Sequence, residues 1–259
     1  MTRIIRFFCC LSLLGPIGYA GAQANLADFK VPLESSMPGG ALGVAIQQGK
    51  KLMNQTQMLL PNNVGNALNC SSCHLNAGTV PKAAPFVGLW GVFPEFNLRD
   101  GKVVSLSQRI NDCFERSMNG RPLSYTSEEM ISMLAYIQWL STGVPTGQSV
   151  KGRGFEAIDV KLIPDSARGK VSYAQKCASC HGAEGAGLKL PTGAYIFPPL
   201  WGNESFNDGA GMARIFTAAA FVRYNMPEGL ENSLTEQEAV DIAAFFVHQP
   251  RPAFKSLPK

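Results

Sequence analysis

The chain has 259 residues, with 23 Lys and Arg against 19 Asp and Glu, a formal charge of +4. So slight a basic excess excludes the electrostatic footprint of a nucleic-acid-binding protein. The 26 Gly and 17 Pro, the scarcity of alternating strand-like runs and the short helical patterns speak for a mainly α protein. Its small helical domains would wrap around something other than a large apolar core.

Residues 1–24 read as a secretory signal peptide. Arg3 and Arg6 supply the positive start, an apolar run extends from Phe7 to Tyr19, and "AQA" at 22–24 is a small-residue cleavage site. The run is short for a membrane span, so cleavage would leave an exported chain of about 235 residues with no stable membrane span. Cys9 and Cys10 depart with the signal. A helix is expected over about 41–57, followed by "LLPNNVGNALN", which reads as an inserted loop.

Four of the five remaining cysteines fall in two C-x-x-C-H sequences, Cys70-Ser-Ser-Cys73-His74 and Cys177-Ala-Ser-Cys180-His181. This is the attachment sequence of c-type haem. Two thiols add to the vinyl groups as thioethers, and the adjacent histidine reaches the iron from the proximal face. One copy alone would leave a zinc site or a redox disulfide open. Two copies in an exported chain favour two covalently bound haem c groups, held by Cys70, Cys73, Cys177 and Cys180, with His74 and His181 on the irons.

The surroundings of the motifs repeat as well. "PFVGLWGVFPEFN" (85–97) follows the first and "FPPLWGNESFN" (197–207) the second. Closing helices are expected in "TSEEMISMLAYIQWL" (126–140) and "TEQEAVDIAAFFVHQ" (235–249), with capping boxes at Thr126/Glu129 and Thr235/Glu238. Two copies of one unit follow. Each resembles a class I cytochrome c domain, giving two such domains in tandem, 25–150 and 151–259, joined through "TGVPTGQSVKGRG" (142–154). The three tryptophans read as haem-packing or core residues.

Only three histidines exist, and His248 ends the last helix, where a solvent-facing role at the helix dipole suits it. The sixth iron ligands must therefore be sought elsewhere. For the second haem, Met226 in "RYNMPEG" suits a thioether offered by a stiff loop, while Met212 reads as core. For the first, Met118 and the unpaired Cys113 compete. The stretch "SLSQRINDCFERS" predicts a helix capped by Ser105 with Gln108, and it places Arg109, Cys113 and Ser117 at i, i+4 and i+8 on one face. A cation beside a thiol lowers its pKa, which favours Cys113 as a thiolate ligand.

The segment "RINDCFERSMNG", the two C-x-x-C-H units and a cysteine 39 residues after the first haem histidine resemble the thiosulfate dehydrogenases, dihaem cytochromes of the bacterial periplasm. The resemblance covers nearly the whole exported chain. It implies coupling of two thiosulfates to tetrathionate, reversible in some members, with two electrons passing to a soluble carrier protein such as a cytochrome c. It further implies that Cys113 is the catalytic centre, that Arg99 and Arg109 bind the anions with Ser117 beside them, and that Met226 ligates the electron-transfer haem. Some members carry lysine before that methionine; here it is Asn225. Readings of another class remain: a dihaem electron carrier with methionine on both irons, a dihaem peroxidase, or a subunit of a Sox-type sulfur-oxidising complex.

Overall fold

The computed structural model of the protein describes residues 26–255, so the segment read as a signal lies outside the described residues. Six helices of 11 to 15 residues carry the architecture: α1 Gly40–Asn54, α2 Leu106–Arg116, α3 Glu128–Leu140, α4 Ser166–Lys176, α5 Ile215–Asn225 and α6 Glu236–Val247. Two small antiparallel hairpins lie in the loops, β1 Glu95–Asn97 with β2 Lys102–Val104, and β3 Leu188–Lys189 with β4 Tyr195–Phe197. Among the described residues no helix is long and apolar enough to cross a membrane.

Two cores form, one per unit. The first gathers Ile46, Leu52, Met53, Phe114, Met133 and Tyr136, and the second Tyr173, Ala218, Val240, Ile242 and Phe246. In each unit the opening helix crosses the closing helix through a glycine. A Cβ on Gly49 would lie 2.1 Å from the Ser132 carbonyl oxygen, and one on Gly169 1.8 Å from that of Asp241. Ser132 and Asp241 hold equivalent positions in the two closing-helix sequences, so the repeat extends to the packing contact itself. In the second unit the crossing is reinforced by buried Asp241, which accepts from Arg168 Nε at 2.7 Å and Nη2 at 3.0 Å.

The spacing from this glycine to the first motif cysteine is 21 residues in the first unit and 8 in the second. The inserted loop is therefore real. α1 breaks at Gln55, earlier than expected, and a short turn, Thr56–Leu59, follows. Buried Thr56 donates to the Leu52 carbonyl at 2.7 Å and accepts from the Cys70 amide at 3.0 Å, bringing the chain to the motif. The Thr235/Glu238 capping box forms as expected. The cap of α3 is Ser127, which accepts from the Met130 amide at 3.2 Å, because Thr126 is turned toward Ser124. Trp139 is buried and Trp201 packs on Tyr173 and Phe245, but Trp90 is 40% exposed and belongs to no core.

Three buried asparagines fasten the units together. Asn66, in the inserted loop, donates to the Ser117 carbonyl at 2.9 Å and the Ser205 carbonyl at 3.1 Å. Asn207 Nδ2 donates to the Glu115 carbonyl at 2.9 Å. Asn225 donates to the Lys82 carbonyl at 3.2 Å. Buried amides satisfied on both sides of a seam resist separation, since each unpaired group would carry its full desolvation penalty.

Gly49→Ala and Gly169→Ala should each lower stability by about 1–3 kcal/mol, because the helix backbone opposite cannot retreat. Chemical denaturation followed by circular dichroism measures this, and an unchanged midpoint would show that the crossings are looser than the distances require.

Candidate active site

α2 begins at Ser105, whose hydroxyl accepts from the Gln108 amide at 3.2 Å while its own amide donates to Gln108 Oε1 at 2.8 Å. The expected capping box is present. Leu106, Asn111 and Phe114 turn inward. The Asn111 side chain clamps Leu123 in both directions, donating to its carbonyl at 3.0 Å and accepting from its amide at 2.9 Å. That fixes the rotation of the helix, so Arg109, Cys113 and Ser117 line a cleft with His74, Cys70 and Cys73.

In that cleft Arg109 Nη1 donates to the Cys113 sulfur at 3.3 Å. The His74 ring lines the same cleft. His74 Nδ1 is 2.6 Å from the Ala84 carbonyl oxygen. A carbonyl can only accept, so Nδ1 carries the proton and Nε2 presents a lone pair, as metal ligation requires. The loop bearing Ala84 is itself paired to the linker, its amide donating to the Gly154 carbonyl at 2.8 Å.

The thiols differ in kind. Burial pushes Cys70 and Cys73 up to about 12 and Cys177 up to about 11. Burial raises Cys113 too, but the Arg109 guanidinium is the largest of the effects that oppose it, and the thiol comes down to about 7. A cysteine with that environment is an anion for much of the time at neutral pH, the reactive form of sulfur.

The second cleft holds Cys177, Cys180, His181 and Met226. His181 Nδ1 donates to the Pro198 carbonyl at 2.9 Å, and burial holds its pKa below the ordinary imidazole value, keeping the ring neutral. Met226 directly follows α5, with its amide donating to the Val222 carbonyl at 3.0 Å. Asn225 beside it is pinned to the first unit. Met212 lines this cleft as well as packing on the core, a wider role than expected.

Both clefts suit a haem. They open to solvent, and each is lined by both motif cysteines, the motif histidine with its Nδ1 tied to a backbone carbonyl, and a further sulfur side chain. Arg223 Nε and Nη1 and Arg116 Nε are buried without a hydrogen-bond partner among the described residues. Arg116 already pairs with Asp100 at 3.4 Å, and neither arginine lines a cleft, so these atoms do not bear on the haem.

The remaining expected residues fall as follows. Ser117 lines the first cleft and its hydroxyl bonds to none of the described residues. Met118 also lines it but is 3% exposed, its amide donating to the Cys113 carbonyl at 3.0 Å. Arg99 stands at the tip of the β1–β2 hairpin, outside the cleft wall, with Nη1 donating to the Gly209 carbonyl of the second unit at 3.1 Å. His248 is exposed and bonds back to Ala244, away from both clefts. Sequence reasoning missed the hairpin, although Asp100-Gly101 is a turn signal. It also missed Arg153, which comes from the linker to line the first cleft and pairs with Glu95 at 2.7 Å.

Two helical units, each presenting a C-x-x-C-H motif and an oriented imidazole in a cleft, define a tandem c-type cytochrome. The family described as "SoxA/TsdA, cytochrome c domain" matches residues 62–146, and "Cytochrome C oxidase, cbb3-type, subunit III" matches 164–246. The thiosulfate dehydrogenase of Psychrobacter arcticus is 47% identical over 235 residues, 91% of this chain and 72% of that one. That of Allochromatium vinosum is 44% identical over 249 residues, 95% and 92% of the two chains. Among solved structures, the as-isolated thiosulfate dehydrogenase TsdBA of Marichromatium purpuratum superposes with a TM-score of 0.83 at 37% identity, covering 87% of this chain and half of that longer one. The chain belongs to the thiosulfate dehydrogenase family.

Arg109→Gln removes the cation that outweighs burial at Cys113. The sulfur should then ionise at a pH at least about one unit higher, seen as an upward move of the pH midpoint of its thiolate spectrum. Arg109→Lys should keep most of the lowering, because the charge stays.

Proposed function

We propose that the protein is a periplasmic dihaem enzyme that couples two thiosulfate ions to tetrathionate and passes two electrons, one at a time, to a soluble cytochrome-type carrier. In this reading export follows cleavage after Ala24, and the domains meet near residue 150. Cys70, Cys73 and His74 hold one haem c in the first domain, and Cys177, Cys180 and His181 hold the other in the second. The two haems supply paired one-electron acceptors. Cys113 would join His74 in holding the first haem and Met226 would join His181 in holding the second, and a thiolate donor would give the first the lower potential and a thioether the second the higher. The observation that carries this reading is the Cys113 sulfur, lowered in pKa beneath Arg109 and facing His74.

The chemistry balances on that sulfur. The Cys113 thiolate and the sulfane sulfur of one thiosulfate form an S–S bond, leaving a cysteine S-thiosulfonate and two electrons. A second thiosulfate attacks the same sulfane sulfur, tetrathionate leaves, and the Cys113 thiolate is restored, as in thiol–disulfide exchange. Arg109 and Arg99 offset the charge of two dianions brought together. Ser117, with its hydroxyl unengaged at the cleft wall, hydrogen-bonds the bound anion. The same steps run backwards as tetrathionate reduction when the carrier donates electrons. In the electron-carrier alternative, Met118 in the same cleft would take the iron in place of Cys113.

Cys113→Ala should cut thiosulfate turnover by at least about a thousandfold while both haems stay attached. Activity within twofold of wild type would overturn the mechanism and favour the electron carrier. Asn225→Ala should cost about 1–3 kcal/mol of stability and diminish the methionine-to-iron charge-transfer band of the second haem, because Met226 loses its neighbour's tie to Lys82; a full-strength band would show that the tie does not position the ligand.

A further inference from the structure

Joining two dianions requires two anion seats. Arg109, engaged with the Cys113 sulfur, serves the first. Arg99 stands nearby, and what lies beside it comes from the other domain. A methyl placed on Gly211 would sit 3.7 Å from Arg214 Nη2 and 4.0 Å from Arg99 Nη2, so those two nitrogens are at most the sum, about 7.7 Å, apart. A tetrahedral oxyanion accepting hydrogen bonds of about 2.9 Å from each side spans such a gap.

Neither guanidinium is neutralised by the described residues. Among the described residues no carboxylate comes within ion-pair distance of Arg99 or Arg214. Arg214 Nε finds only the Thr217 hydroxyl, at 3.3 Å. Asp100, the nearest acid to Arg99, is already engaged with Asn97 at 2.8 Å and Arg116 at 3.4 Å. The Arg99 guanidinium is held below its ordinary pKa by burial first and then by Arg214, Arg116 and Arg109, in that order. Like charges gathered this closely repel unless an anion lies between them. The gathering does not arise from local sequence, since Arg99 sits on the β1–β2 hairpin and Arg214 caps α5 more than a hundred residues later.

We propose that Arg214 of the second domain and Arg99 of the first together bind the second thiosulfate, in a subsite that spans the domain seam beside the Cys113 cleft. This rests on the thiosulfate reading and extends it. The electron-accepting domain completes the substrate site of the other, so the first domain alone would bind only one of the two ions well.

The test compares the wild-type holoenzyme with Arg214→Gln and Arg214→Lys in steady-state thiosulfate oxidation, together with the reduction potentials of both haems. Arg214→Gln should raise KM about tenfold with kcat within twofold and both potentials unmoved, and Arg214→Lys should recover most of the loss. An unchanged KM, a fall in kcat alone, or no recovery with lysine would overturn the subsite. A shifted haem potential would also overturn it, making Arg214 a partner of the cofactor. A wild-type enzyme inert toward thiosulfate would overturn the functional reading and the subsite with it, whereas an active wild type beside an unaffected Arg214→Gln would overturn the subsite alone.

Discussion

Arg109 and Cys113 lie one helical turn apart, and their contact is what the rest of the site is arranged to preserve. A thiol shielded from water resists ionisation, and the motif cysteines show how strongly. Cys113 escapes that outcome because a guanidinium is fixed on its sulfur by the i, i+4 spacing of α2. The spacing alone would be useless if the helix could roll. Its cap at Ser105 and the two-way clamp between Asn111 and Leu123 prevent that, and they bring the sulfur to the His74 side of the cleft. His74 in turn is aimed by the Ala84 carbonyl, and Ala84 by the linker.

The two domains are copies in their helices but not in their loops. Both cross an opening and a closing helix through a glycine, and both orient an imidazole by a backbone carbonyl after the motif. They diverge where chemistry differs. The first domain carries extra residues before its motif, and these are not slack: Asn66 in that loop holds the turn at Ser117 and reaches Ser205 across the seam. Its hairpin lies after the histidine-orienting carbonyl and lifts Arg99 toward the second domain. The hairpin of the second domain lies before that carbonyl and ends at Phe197, directly ahead of Pro198, which orients His181.

The seam brings the two clefts close together. Leu68, Asn69 and Cys73 line both clefts, so the wall between the haem sites is a few residues thick and belongs to the first motif itself. Asn225 ties the residue before Met226 to the loop that leads to His74's acceptor. Such ties favour a single fixed relation between the domains over free hinging.

Much of this was legible in the residues. The C-x-x-C-H pairs name a cofactor because covalent attachment needs both thiols and an imidazole at one porphyrin edge, a purely local demand. The stripe of Arg109, Cys113 and Ser117 is likewise local, since helical spacing alone sets it. The repeat was visible down to Ser132 and Asp241. Other features were decided only in three dimensions. A cap can fall on Thr126 or Ser127 with equal local merit, and packing chose Ser127. Arg153 and Arg214 carry no motif, and they reach the site because the linker folds back and the domains dock. Sequence determined the two attachment motifs and the Arg109–Cys113 stripe, as spacing within one short segment sets each; tertiary structure decided which distant charges surround them, as electrostatics acts through space without regard to order along the chain.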